Sequence, residues 1–202
     1  MPGLMSFLIF TLTIESINKE FIGEVIYTGG TELHCSSFTL YNKEGHKLYS
    51  ILNPAATAFY VSDSGVVFAT NETKLFLYGL DGNIEEILPL DYPNGFGFSP
   101  DNTLFFVSDR NGIYGFTISG KLRYQFTPGR LFASTEMGKR VCVVSNDTLS
   151  FYEEGRLKFI RLVESPYIRA INFSSDGNLV QVKMAGDSLF YDFETGEVIE
   201  ER

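Results

Sequence analysis

Residues Gly95 to Gly129 read GFGFSPDNTLFFVSDRNGIYGFTISGKLRYQFTPG. The stretch divides into four short apolar runs, Phe96–Phe98, Leu104–Val107, Ile113–Thr117 and Leu122–Phe126. Between them stand Ser99-Pro100-Asp101-Asn102, Asp109-Arg110-Asn111-Gly112 and Ser119-Gly120. Short runs rich in Phe, Ile and Val bounded by turn formers are strands folded back on one another. No helical period competes with this pattern, so the stretch is expected to be one four-stranded antiparallel sheet.

Working outward, the same unit recurs along the chain. The glycine of its third turn returns as Gly45, Gly82, Gly120, Gly155 and Gly196, at spacings of 37, 38, 35 and 41 residues. Its first turn returns as Asp63-Ser64-Gly65, Pro100-Asp101-Asn102, Glu136-Met137-Gly138 and Ser175-Asp176-Gly177. A proline between units, Pro54, Pro93, Pro128 and Pro166, keeps the same period without reference to the glycines. Self-similarity at about forty residues identifies units that must stack to hide their apolar faces. The chain therefore reads as all-β: a five-bladed β-propeller of four-stranded antiparallel blades, with a linear stack as the less favoured alternative. The blades are expected over residues 15–56, 57–93, 94–129, 130–166 and 167–202, in a single domain spanning 1–202.

Phe98-Ser99-Pro100-Asp101-Asn102, followed by Phe105-Phe106-Val107-Ser108-Asp109-Arg110-Asn111-Gly112, resembles the blades of the TolB-like and WD-repeat propeller superfamily. Ile171 to Leu179, INFSSDGNL, resembles the same element. The likeness covers residues 57–202 more fully than 1–56. It departs from the family in having no tryptophan, so the Trp-Asp signature is absent. Such a resemblance implies a fold and leaves function to be argued from the site.

Composition agrees with this fold. Of 202 residues 44% are apolar and 20% charged, with 19 phenylalanines and 11 tyrosines to fill the space between sheets. The net charge of −9 and the lack of a basic cluster argue against nucleic acid as a partner. Cys35 and Cys142 have no neighbouring cysteine at metal-ligand spacing and read as small apolar residues. The apolar run Leu4 to Ile14 has no preceding Lys or Arg and, at eleven residues, is too short to span a bilayer. No membrane span is expected, and a cytoplasmic location fits best.

That run supplies a strand whose place is ambiguous. If Phe21–Thr28 is the innermost strand of the first unit and Gly29-Gly30 its first turn, residues 5–14 are an extra or closing strand. It would then latch the propeller by pairing with the last unit beside Glu197–Glu201, or else cover an exposed edge. The alternative register makes it the first strand of the first unit.

Strand order sorts the loops onto two faces. The connections between units, with the loops joining second to third strands, frame the axial opening and carry Tyr92, Asn94, Arg110, Arg130, Tyr167 and Arg169. Aromatic, amide and guanidinium groups around a concavity are what a binding surface uses. The opposite face carries Asp63, Asp101, Glu136 and Asp176 at equivalent turns. They read as turn formers first, and as a weak cation site or a patch for a basic partner second.

Chemistry is sparse. His34 and His46 lie in the least regular unit, and the doublets Glu85-Glu86, Glu153-Glu154 and Glu200-Glu201 fall on outer strands and turns. At the axis the chain offers mainly Phe59, Val61, Phe96, Phe98, Phe132, Ile171 and Phe173. No catalytic residue, cofactor or metal is assigned. The expected function is a non-catalytic, monomeric platform for a protein or peptide, with a lectin-like or small-ligand binder as the alternative and a hydrolase using axial residues as the second alternative.

Overall fold

The computed structural model describes residues 8–29, 33–163 and 167–199. Leu4 to Phe7, Gly30, Pro166 and Glu200 to Arg202, named above, lie outside the described residues. The chain divides into two compact units, Met1–Asp91 and Tyr92–Arg202.

The first unit holds two four-stranded meanders. Strands β1 (Leu8–Glu15), β2 (Phe21–Gly29), β3 (Leu33–Asn42) and β4 (Lys47–Leu52) form one sheet in that order. Strands β5 (Ala58–Val61), β6 (Val67–Thr70), β7 (Lys74–Tyr78) and β8 (Ile84–Pro89) form the other. Val25, Phe38 and Leu40 of the first sheet pack on Phe59, Val61 and Val67 of the second. The Phe38 and Phe59 rings lie parallel at 4.5 Å. All four residues of β6 are buried, which is why no polar alternation marks this strand in the sequence.

The second unit holds three more meanders. They are β9 (Gly95–Phe98) to β12 (Leu122–Phe126) through β10 (Leu104–Ser108) and β11 (Ile113–Thr117), then β13 (Leu131–Ser134), β14 (Arg140–Ser145), β15 (Thr148–Glu153) and β16 (Arg156–Leu162). The last is β17 (Ala170–Phe173), β18 (Leu179–Lys183), β19 (Ser188–Asp192) and β20 (Val198–Ile199). Aromatic rings join neighbouring sheets: Phe126 meets Tyr152 at 4.4 Å, and Phe151 meets Phe193 edge-on at 5.8 Å. A register shift recurs between third and fourth strands, at Gly115/Phe116 and Phe151/Tyr152 here and at Leu40/Tyr41 and Leu75/Phe76 in the first unit. Each such bulge increases the local twist, and nothing in the residue types announces it.

One turn explains the regularity. Ser16, Ser99, Thr135 and Ser174 each end a first strand and accept, on the side-chain oxygen, the amide of the residue that opens the second: Phe21, Leu104, Arg140 and Leu179. Three residues after each hydroxyl the backbone turns left-handed, at Lys19, Asn102, Gly138 and Gly177. The sequence repeat is the repeat of this hydroxyl-capped turn.

The same turn corrects two expectations. Leu8 to Ile14, the described part of residues 5–14, belong to the first sheet: β1 pairs with β2 from Leu8↔Gly29 to Glu15↔Ile22, and among the described residues the partner of β20 is β19. The first blade accordingly begins before residue 15, and its first turn is Ser16–Lys19 instead of Gly29-Gly30. The first turn lies further from Gly45 than in the other sheets because β2 and β3 run nine and ten residues, against four to six for the middle strands of the other sheets. The left-handed position is also held by a lysine (φ 60°), which a search for glycines passes over.

Candidate functional site

In the second unit the residue entering each innermost strand is held by one recurring bond. The Asn94 amide donates to the Ser108 carbonyl at 2.9 Å, Arg130 to Val144 at 2.7 Å and Arg169 to Lys183 at 2.8 Å. Three polar side chains proposed from sequence are thus delivered by the same local geometry at the start of three neighbouring strands.

Side-chain bonds connect them further. The hydroxyl of Ser108, fully buried, donates to Asn94 Oδ1 at 2.8 Å and lies 3.5 Å from the Arg130 carbonyl. Arg130 Nη2 reaches the Ile168 carbonyl at 3.4 Å. Tyr167 and Arg169 flank that carbonyl in the chain, with Tyr167 71% exposed. Ser108 was not singled out from sequence, because a serine at the end of an apolar strand looks the same whether its hydroxyl is buried or solvated.

Tyr92 stands out. Its backbone is left-handed, at φ 52°, immediately before Pro93, a position that for a bulky side chain costs on the order of 1–3 kcal/mol. Its ring lies 4.3 Å from the Arg110 guanidinium and remains half exposed. In the second unit the innermost strands β9, β13 and β17 line a cavity of about 900 Å³, with Gly95 and Arg130 at the loop end and Glu136, Lys139, Arg140 and Asp176 at the first turns. Among the described residues neither Arg130 nor Arg169 meets a carboxylate, whereas Arg140 and Lys158 are both engaged by Glu153 and Glu194.

Of the acidic residues on the opposite face of the second unit, Glu136 and Asp176 line that cavity and Asp101 does not. Asp63, in the first unit, accepts the Asn18 amide at 2.9 Å. In the second unit Asp101 accepts the Ser99 and Thr103 hydroxyls at 2.7 and 2.9 Å and the Met137 amide at 2.9 Å. Asp176 accepts the Ser174 hydroxyl and both nitrogens of Asn178. Their oxygens are spent on their own turns or a neighbouring one, and among the described residues no group of three His, Cys, Asp or Glu side chains could hold a metal. Glu136 opens a 3-10 turn, Glu136–Gly138, with no side-chain bond capping it.

These bonds set an acid limit on stability. Burial pushes the Asp101 carboxyl up, but the Ser99, Met137 and Thr103 donors together hold it below the ordinary value of 3.8. Ser174 and Asn178 lower Asp176, and the Thr195 amide leads the donors that lower Asp192. A carboxyl lowered in the folded chain stabilises it above the ordinary value and loses that contribution as pH falls through the lowered one. The melting temperature should therefore hold level above about pH 5 and fall steadily below about pH 4. In Asp101→Asn the fall should be shallower from a lower plateau, as circular dichroism melts across that range would read.

No family profile matches the chain, and no curated protein matches it in sequence. Solved structures do. KlHsv2 with loop 6CD replaced by a Gly-Ser linker superposes with a TM-score of 0.60 at 10% identity, over 91% of this chain and 78% of that one. Kluyvelomyces marxianus Hsv2 gives 0.61 at 10% identity, over 94% of this chain and 74% of that one. At this identity the likeness speaks to fold alone. With five four-stranded antiparallel sheets in chain order, that fold is a β-propeller of five blades. Among the described residues no helix is long and apolar enough to cross a membrane.

Proposed function

We propose that this five-bladed propeller is a non-catalytic platform that docks a protein or peptide on the loop face of its second unit. The observation that carries the reading is Tyr92, an exposed ring on strained backbone against the Arg110 guanidinium, in the loop that leads into Gly95, which with Arg130 lines the cavity. Strain of this kind persists where surrounding structure enforces it and gathers at binding surfaces. Tyrosine and arginine are the residues that dominate interface energetics. The buried Ser108 hydroxyl and the recurring strand-entry bond make the face rigid, which lowers the entropic cost of docking. The resemblance of the blades to TolB-like and WD-repeat propellers supports a platform role in the same direction.

The test compares proteins captured from the native host by wild type, by Tyr92→Ala/Arg130→Glu, and by Asp101→Asn, which lies on the opposite face and outside the cavity lining. At least one protein should be enriched on wild type and on Asp101→Asn, and reduced about tenfold or more on the double variant. Identical capture by all three would rule the loop face out.

A further inference from the structure

Gly97 stands inside β9 with neither backbone nor packing requiring a glycine there. Its φ is not left-handed, and a β-carbon built on it would meet nothing nearer than the Phe132 ring, at 3.8 and 3.9 Å, which is ordinary contact. The other strand glycines of the same sheet differ. A β-carbon at Gly95 would run into the Ser108 hydroxyl, and one at Gly115 would come within 2.7 Å of the Phe106 ring. Glycine inside a strand costs stability relative to alanine and marks places where another molecule or backbone comes close. What Gly97 leaves open is the cavity of about 900 Å³ between β9, β13 and β17, a volume within the range of small-molecule sites. Two residues before the hydroxyls of Thr135 and Ser174, where Gly97 stands before that of Ser99, the neighbouring strands carry Ala133 and Asn172. At that level the lining offers no side chain, a methyl group and an exposed amide that makes no hydrogen bond among the described residues.

Charge fixes one end of the occupant. At the turn end Arg140 is engaged by Glu153 and Glu194, and Asp176 by Ser174 and Asn178. Glu136 and Lys139 there carry opposite charges three residues apart. At the loop end Arg130 is the one charged residue of the lining. The Ile168 carbonyl holds its Nη2 at 3.4 Å, and among the described residues no carboxylate meets it. Its planar fork of N–H donors matches a carboxylate, and a single guanidinium balances a single negative charge. Between the two ends Phe96, Phe98, Phe132 and Phe173, all half-buried, give the cavity aromatic walls. We propose that the cavity of the second unit binds a small monocarboxylic acid, with the carboxylate on Arg130 and an aromatic or apolar body lying along β9 over Gly97. The strands of the lining are four residues long, which limits the body to about 10 Å. The lining takes in neither Tyr92 nor Tyr167 nor Arg169, so the acid is contained between the strands and needs no docked partner.

Titration calorimetry of the purified chain with 3-phenylpropionate tests the site. One equivalent should bind with a Kd of about 1 mM or tighter. The uncharged 3-phenylpropionamide should bind about tenfold more weakly or worse, and Arg130→Gln should weaken the acid by a similar factor. Arg156→Gln, an equal change of charge on the outer strand β16, should bind as wild type does. Gly97→Leu should fill the space and abolish binding. Gly97→Ala should raise the melting temperature by about 1–4 °C, as expected where the fold itself has no need of the glycine. That variant and Arg130→Gln keep the test decisive if the leucine variant fails to fold. The peptide Gly-Gly-Phe carries the same carboxylate at the end of a chain and should bind more weakly than the free acid. Binding of that peptide about tenfold tighter than the acid would overturn the proposal in favour of a chain terminus. It would equally be overturned by no binding of the acid at about 10 mM, by equal binding of acid and amide, or by binding that survives Arg130→Gln or a folded Gly97→Leu. A melting temperature of Gly97→Ala below that of wild type would overturn it too. No protein partner enters the assay, so its outcome is separate from that of the docking test.

Discussion

Phe151→Ala should remove about 3–5 kcal/mol of folding stability, the largest single loss expected in the second unit. The side chain is wholly buried at the centre of the cluster that joins the fourth and fifth sheets. Its ring meets Phe159 at 4.6 Å within its own sheet, and Tyr191 and Phe193 at 6.1 and 5.8 Å in the next. Truncation leaves a cavity walled by rings anchored in extended strands, which have little freedom to collapse inward, so the cost of the void adds to the lost burial. With a urea dependence of roughly 1–3 kcal/mol per molar, the midpoint should fall by about 1–5 M. Phe151→Leu should lose much less. A Phe151→Ala midpoint within experimental error of wild type would mean that the two sheets are not held by this cluster.

Arg140→Met should cost roughly 1–3 kcal/mol, and Arg140→Lys should recover little of it. The guanidinium of Arg140, at the start of β14, donates to the Gly177 carbonyl and to Asn178 Oδ1, both at 2.9 Å. It pairs with Glu194 at 2.5 Å and Glu153 at 3.5 Å, and lies 4.7 Å from the Phe193 ring. Lys158 completes the network by meeting the same two glutamates. The carboxylates are about half exposed, so solvent screens the ion pairs and they contribute modestly. The bonds to the first turn of the fifth sheet carry more, because methionine would leave the Gly177 carbonyl without its donor. Lysine cannot reproduce the planar fork that reaches a carbonyl, an amide and two carboxylates together. Glu194→Gln should cost well under half as much as Arg140→Met, and high salt should shrink that smaller loss further. If Glu194→Gln cost as much as Arg140→Met, the ion pairs would be the tie between the sheets.

The blade pattern was legible because one local device writes it. A hydroxyl, a left-handed residue three positions later and a glycine in the third turn recur wherever a meander begins and ends, and short-range backbone chemistry fixes all three. Strand boundaries in the third sheet followed to within a residue: Leu104–Val107 was expected and Leu104–Ser108 is seen. The first sheet was misplaced where the local device changed its residue, to Lys19, and where hairpin length changed, in β2 and β3.

The sequence by itself determined the four-stranded unit, its five repetitions and the apolar filling between sheets, since turn chemistry and hydrophobic pattern act within a few residues of one another. It also placed Tyr92, Asn94, Arg110, Arg130, Tyr167 and Arg169 in loops. Tertiary structure alone decided that Arg110 lies over Tyr92, that Ser108 ties Asn94 to the Arg130 backbone, and that β1 belongs to the first sheet with its other edge exposed. Those facts depend on which strand ends meet across a sheet and between sheets. Such meetings are set by register and packing over tens of residues, and no single residue type records them.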